Sequence, residues 1–420
     1  MVAPARTGED RYKGETMEAS ANRKFDVGGV MLDRPFRISR LGHFGFFTNH
    51  MKESLRFYTQ LLGFEISDPL DFARRVPPEH KGKFETVGYF TRFNGDHHAF
   101  VLFPRRAFEV MANLKPQHVV NQITWQAGSL KQVVDAGHWM QTREVEIDRS
   151  GRDMPGSNWH TYMRDAEGNR NEIYYGMEQI GWIGRSKPLP MHNRRFTEAA
   201  TLPQIPERKE VEDAVAAGVD ILSGMRHEEK MPLDYNVGGI LLGRPFKIVS
   251  IGPVRLMAEN VDKVADFYRS TLGFDLTEEV VWKGHRCLFL RCNTDHHCVS
   301  IYPMAIAKEL DLPRPSSCFS FGVRLYDYQQ LRDAVAFLKK QGVRVLHLPA
   351  ELFPGIDYTA FAVDPDGHLI QLYYYMEQIG WDGKPKPANL RRKVDNANWP
   401  ETVQALSDTF NGEPFLGPWG

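Results

Sequence analysis

Cysteine is scarce in this chain. There are four in 420 residues (Cys287, Cys292, Cys298, Cys318), all in the second half and none at zinc-site spacing. That argues against a secreted disulfide framework and makes a reducing cytoplasm the expected setting. An excess of one charge is also missing, since 52 Lys and Arg face 53 Asp and Glu for a net −1. The basic residues are scattered, so neither nucleic acid nor an anionic membrane is an expected partner. No apolar run reaches the roughly 18 residues of a membrane span. The first residues, MVAPARTGEDRYKGETMEASANRK, lack an apolar signal core and read as a flexible tail. The rest of the composition, 42% hydrophobic and 25% charged, suits a large core and two or more domains.

What the chain does have is a duplication. FDVGGVMLDRPFRISRLGHFGFF from Phe25 returns as YNVGGILLGRPFKIVSIGPVRLM from Tyr235. LRFYTQLLGF returns as VADFYRSTLGF, FNGDHHAFVLFP as CNTDHHCVSIYP, and NEIYYGMEQIGW as IQLYYYMEQIGW. Each copy serves as a control for the other. Residues kept in both are expected to hold the fold, and polar residues kept in one are candidates for chemistry.

Within a copy, RISRLGHFGFFT alternates as a strand. MKESLRFYTQLLGF has helical spacing and ends at Gly63. ETVGYFTRF and HAFVLFP are strand-like. The order restarts with VVNQITWQA, the helix SLKQVVDAGHWMQT, and the strands HTYMRD and NRNEIYYG about the turn AEGN. The pattern predicts two strand–helix–strand–strand–strand units per copy. Between copies, EVEDAVAAGVDIL predicts a short packed helix. The resulting division is a tail over 1–24, a first domain over 25–190, a linker over 191–234, a second domain over 235–388 and a tail over 389–420.

FYTQLLGFEIS and FYRSTLGFDLT, with RDAEGNRNEIYY and VDPDGHLIQLYY, resemble the vicinal oxygen chelate superfamily of glyoxalases, bleomycin-resistance proteins and type I extradiol ring-cleavage dioxygenases. The resemblance covers about three quarters of the chain. It implies an α+β fold, a tandem duplication in which each half curls two βαβββ modules into an open, barrel-like cup. It also implies a metal inside a cup, held in the extradiol members by two histidines and a glutamate that leave one face of Fe(II) open.

By that resemblance His43 and Glu172 fall on ligand positions. Their counterparts, Pro253 and Gln371, are respectively unable and poorly suited to bind a divalent cation. The second ligand histidine is absent. Gln122 stands at its position, opposite Ser320 or a neighbour in the other copy, and His118 four residues earlier is the alternative. In the DHH motif, His98 matches the family's acid–base histidine, a role suited to an imidazole near neutral pH. Both copies keep DHH, so Asp96 and His97 are also expected to serve the turn. Tyr162, ten residues before Glu172, matches a tyrosine that hydrogen-bonds substrate, and its counterpart is Phe361. Asp153 stands where the family has a substrate-contacting histidine, and His160 is the candidate to replace it.

The expectation is therefore a non-haem Fe(II) (alternatively Mn(II)) extradiol-type dioxygenase acting on a catechol-like aromatic with O2. Its metal would lie in the N-terminal half and its second half would be degenerate. Phe93, Phe100, Trp125, Trp159 and Tyr174 are candidates to line a ring pocket. The loop over 68–83 is a candidate lid or a surface excursion, and a homo-oligomer is expected. Two alternatives stay open. One is a metal-dependent isomerase, lyase or hydrolase on the same fold, and the other is a metal-free protein that binds an aromatic ligand.

Overall fold

The computed structural model describes residues 24–152, 156, 159–192, 202–203, 205–312 and 316–404. Each half opens with a small hairpin: β1 (Phe25–Val27) with β2 (Val30–Leu32), and β11 (Tyr235–Val237) with β12 (Ile240–Leu242). The first half continues with β3 (Ile38–Thr48), β4 (Glu65–Asp71), β5 (Val87–Arg92), β6 (Phe100–Pro104), β7 (Val120–Ala127), β8 (Ile147–Arg152), β9 (Trp159–Arg164) and β10 (Arg170–Tyr175). These form one sheet in the order β4-β5-β6-β3-β7-β10-β9-β8. The second half repeats it with β13 (Ile248–Ala258), β14 (Asp275–Trp282), β15 (His285–Arg291), β16 (Val299–Pro303), β17 (Cys318–Leu325), β18 (Val345–Leu346), β19 (Thr359–Val363) and β20 (Leu369–Tyr373). Each sheet is mixed and open, with parallel β3–β6 and β7–β10 pairs among antiparallel ones. The expected duplicated cup of βαβββ modules is what the chain folds into.

The residues shared by both copies join the halves. Tyr58, in FYTQLLGF, donates to Asp364 of the second half's DPDG turn (2.9 Å), and Tyr268, its counterpart, donates to Asn171 (3.1 Å). Phe44 stacks on Phe321 with centroids 4.4 Å apart, and Trp125 meets Phe274 at 4.8 Å. One apolar core runs through both halves. The glycine of each LGF is left-handed (Gly63 φ +90°, Gly273 φ +84°) and lies under an arginine of the other half, Arg244 and Arg34 respectively. A side chain at either position would meet strain and collide with the guanidinium.

Two expectations change. MKESLRFYTQLLGF is helical, but the turn Arg56–Leu61 is a π-helix, with Leu62 N–H bonded to Phe57 C=O (2.9 Å). The linker helix forms over Glu207–Ala216 but buries no apolar face, and Val215 is 54% exposed. Ion pairs of Glu210 with Arg152 and Lys187 tether it instead. Among the described residues no helix is long and apolar enough to cross a membrane.

Candidate active site

A bulge creates the site. Strand β3 pairs Leu41 with Trp125 and His43 with Thr124, so Gly42 is the extra residue. Simple alternation would put His43 on the face of Leu41, in the inter-half core. The bulge turns it to the concave face. Gly42 is required there because an added Cβ would lie 2.2 Å from the Tyr174 hydroxyl.

On β10, Glu172 pairs with Thr124 of β7 and with Tyr162 of β9, so all three project to the face of His43. Glu172 is completely buried and its Oε2 lies 3.3 Å from His43 Nε2. Thr124 Oγ1 donates to the same oxygen at 2.9 Å. The other oxygen, Oε1, faces His160 Nδ1 at 3.8 Å. Burial alone would raise the Glu172 pKa, but the His43 charge and hydrogen bond, then His160 and Thr124, bring it down to about 2.

His98 lies beside this pair, with its ring centroid 4.4 Å from that of His43. Its Nδ1 meets His97 Nδ1 at 3.0 Å, and His97 Nε2 meets Asp68 at 2.7 Å. Burial, then His43 and His97, drives the His98 pKa well below its usual value. Tyr174 closes another side, 5.2 Å from His43 between ring centroids. Among the described residues, His43 Nδ1, Glu172 Oε1 and the Tyr174 hydroxyl are buried without a hydrogen-bond partner. The Tyr162 ring lies 4.5 Å from that of His160 between centroids, tilted by 59°, with the Arg149 guanidinium 4.7 Å over its ring.

Gln122 lies two residues before Thr124 on the same face, opposite Gly45 rather than His43. The His118 alternative does not reach the site, because its Nε2 bonds Glu167 C=O (3.1 Å) in the β9–β10 turn. Asp153 lies outside the described residues. Of the aromatic candidates, Tyr174 is at the site. Trp125 bonds Asn171 from the core face, Phe100 packs against Tyr58 and Phe321, and Phe93 borders the groove between the halves. Trp159 alternates with His160 onto the helix side of the sheet. The loop over 68–83 begins as part of β4, and Phe72 packs into a small core with Phe47, Phe90, Val101 and Phe103.

The second half shows what happens without the polar set. Pro253, Gly322, Gln371 and Phe361 stand for His43, Thr124, Glu172 and Tyr162. A new residue, Arg255, fills the space. It is fully buried, donates through Nη1 to Gln371, and reaches His297 Nε2 through Nη2 at 3.1 Å. Arg255 aligns with Gly45, and it touches the counterparts of Glu172 and His98. The trio His297–His296–Glu278 repeats His98–His97–Asp68 (3.0 and 2.9 Å). That relay therefore belongs to the scaffold of both halves.

Sequence reading missed Thr124, Asp68 and Arg255. Thr124 is visible only through the strand register, and Asp68 only through the folding of β4. Arg255 did carry a signal, a lone charge inside the apolar run PVRLMA.

A divalent ion suits part of this arrangement. Ligands about 2.1 Å from an ion and at right angles lie about 3 Å apart, and His43 and Glu172 are close to that. Among the described residues, no three His, Cys, Asp or Glu side chains stand close enough to enclose an ion as they are placed.

Residues 40–173 and 250–372 match the model of the Glyoxalase/Bleomycin resistance protein/Dioxygenase superfamily. The chain belongs to that superfamily, once in each half. It is 24% identical over 133 residues to the 2,2',3-trihydroxybiphenyl dioxygenase of Sphingomonas paucimobilis, covering 32% of this chain and 44% of that protein. The match thus spans less than half of that relative. Among solved structures, the 2,3-dioxygenase LapB from Pseudomonas sp. KL28 aligns with TM-score 0.53 at 13% identity, covering 83% of this chain and 96% of that one. The Mn(II)-bound glyoxalase from Novosphingobium aromaticivorans aligns with TM-score 0.51 at 13% identity, covering 83% and 85%. At such identities these likenesses speak for the fold.

Proposed function

We propose that the chain is an extradiol-type ring-cleavage dioxygenase, using non-haem Fe(II) or Mn(II) in its N-terminal half on a catechol-like aromatic. The observation that carries this reading is the fully buried His43–Glu172 pair, replaced by Pro253 and Gln371 in the other half. A carboxylate held at zero exposure is costly unless a cation compensates it. The names of the relatives agree with this class of chemistry.

The chemistry that an Fe(II) or Mn(II) ion would supply, held by His43 and Glu172, is Lewis acidity toward catechol oxygens and redox activation of O2. The chain's own groups do the rest. His43 and Glu172 hold the ion, with Gln122 as a further candidate, and Thr124 orients the carboxylate through its hydroxyl. His98, kept neutral by burial, accepts the proton of a catechol hydroxyl. Tyr162 donates a hydrogen bond to a substrate oxygen, and His160 and Asp153 are candidates to contact the substrate.

The test is O2 uptake against a panel of catechols, with Glu172→Ala as the control. Uptake matched to catechol consumption is expected in the wild type, with metal retention and turnover both lost in Glu172→Ala. Normal metal content and turnover in that variant would overturn the assignment. One observation favours a second reading: β7 offers Thr124 and Gln122 in place of a histidine, a poorer set for iron. A glyoxalase-like isomerase, lyase or hydrolase would turn over without consuming O2.

A further inference from the structure

We infer that the second half binds a compact monovalent anion, a halide such as chloride, against the buried guanidinium of Arg255. The site is separate from whatever the first half holds.

The charge of Arg255 has no counter-charge. The side chain is fully buried, and a guanidinium stays protonated even there. Nη1 donates to Gln371, and Nη2 reaches His297 Nε2 at 3.1 Å. Neither partner is negative. Gln371 is an amide, and burial, then Arg255 and His296, holds the His297 pKa well below its usual value. Tyr302, Tyr373 and Cys318 stand nearby, but burial raises the pKa of all three and keeps them neutral. The carboxylate linked to Arg255, that of Glu278, stands behind both His296 and His297 and is itself paired with Arg391 (2.7 Å). A buried charge left alone is costly. Water would not relieve it, because water brings no charge.

Unpartnered donors surround the same guanidinium. Arg255 pairs with Ser300 on β16 and with Ser320 on β17, so the two serines flank it on one face of the sheet. Both are at zero exposure. Among the described residues, Ser300 Oγ, Ser320 Oγ, Gln371 Nε2 and Arg255 Nε are buried without a hydrogen-bond partner. Each can donate, and an anion accepts from several donors at once. The Phe353 ring covers the guanidinium at 5.2 Å, with Phe289 opposite Ser300 and Phe361 opposite Gln371, which suits a small ion over a bulky one. The cleft between the halves, about 700 Å³, reaches His297, the guanidinium's own partner, and brings solvent ions within one residue of the site.

The duplicate points the same way. Arg255, Ser300, Ser320 and Gln371 stand where the first half has Gly45, Val101, Gln122 and Glu172. Across these positions one positive charge is gained and one negative charge is lost, and a hydroxyl stands in place of an apolar side chain. A half that had only lost its chemistry would fill the place with apolar residues, which carry no desolvation penalty.

The test uses the full-length chain exchanged into sodium gluconate, a bulky anion. Chloride then replaces gluconate at constant ionic strength while thermal melting is followed. In the wild type the melting temperature is expected to climb with the logarithm of chloride concentration, as for a ligand of the folded state alone. Arg255→Met should show no such climb. Ser300→Val, which copies Val101, should weaken the apparent chloride affinity by about 10-fold. Two measurements need no variant. Wild-type protein should broaden the chloride NMR line, with bromide reversing the effect, and crystals grown in bromide should show an anomalous peak beside Arg255. Melting indifferent to the anion, a chloride dependence that survives in Arg255→Met, or bromide-grown crystals with only water against Arg255 would overturn the inference.

Discussion

Arg255 and Glu172 answer the same problem in opposite ways. Each is a charge in a place without water, and each needs a partner there. Arg255→Ala would leave Gln371 and His297 facing a cavity without their hydrogen-bond donor, so a stability loss of about 2–4 kcal/mol is expected by chemical denaturation. The metal content of the first half should not change. In that half, Tyr162→Phe copies the Phe361 of the second. Its expected effect is a fall in kcat of roughly 10- to 100-fold, with melting temperature unaltered. An equal loss of stability would instead make Tyr162 a packing residue. His43, Glu172 and Tyr162 were legible in the sequence because the duplicate lacks them. Thr124 was not, because which β7 residue faces His43 depends on the one-residue bulge at Gly42. His118 was a reasonable candidate by spacing alone, but the chain carries its imidazole into the β9–β10 turn.

Strands, turns and helices were mostly readable from period and punctuation. Partner choice was not, and the DPDG turn illustrates it. In sequence it is a hairpin turn. In the folded chain Asp364 accepts from Tyr58 and from His368, which stacks on Phe46 at 4.1 Å. Burial would lower the His368 pKa, but Asp364 outweighs it and the net shift is upward from 6.5. A raised folded pKa means that the stabilisation is fully present below about pH 6.5 and is lost as pH rises through the folded value. Melting temperature should therefore fall with rising pH above neutrality, and His368→Gln should flatten that dependence. An unchanged slope would show that the pair does not link protonation to stability. The linker helix shows the converse limit. Its apolar spacing was real, but its tether is ionic, through Glu210 to Arg152 and Lys187.

At the level of the whole molecule, the two halves are folding partners. Their signature residues are spent on each other: Tyr58 on Asp364, Tyr268 on Asn171, Arg244 over Gly63 and Arg34 over Gly273. The stacked Phe44 and Phe321 lie in the core they share. Aromatic pairs of this kind add about 0.5–1.5 kcal/mol each beyond the area they bury. Expressed alone, either half would expose this face, so neither should give a cooperative unfolding transition. Mixing the two halves should restore one. A stable isolated first half would contradict the shared core. The duplication thus allows a division of labour, in which one half keeps a buried His43–Glu172 pair and the other, with Arg255 against Gln371 and His297 at the matching place, completes the fold.

That division is tested most directly by counting metal ions in protein purified anaerobically, beside Glu172→Ala. One ion per chain in the wild type, and essentially none in the variant, is the expected result. Two ions per chain, or an undiminished count in Glu172→Ala, would contradict it.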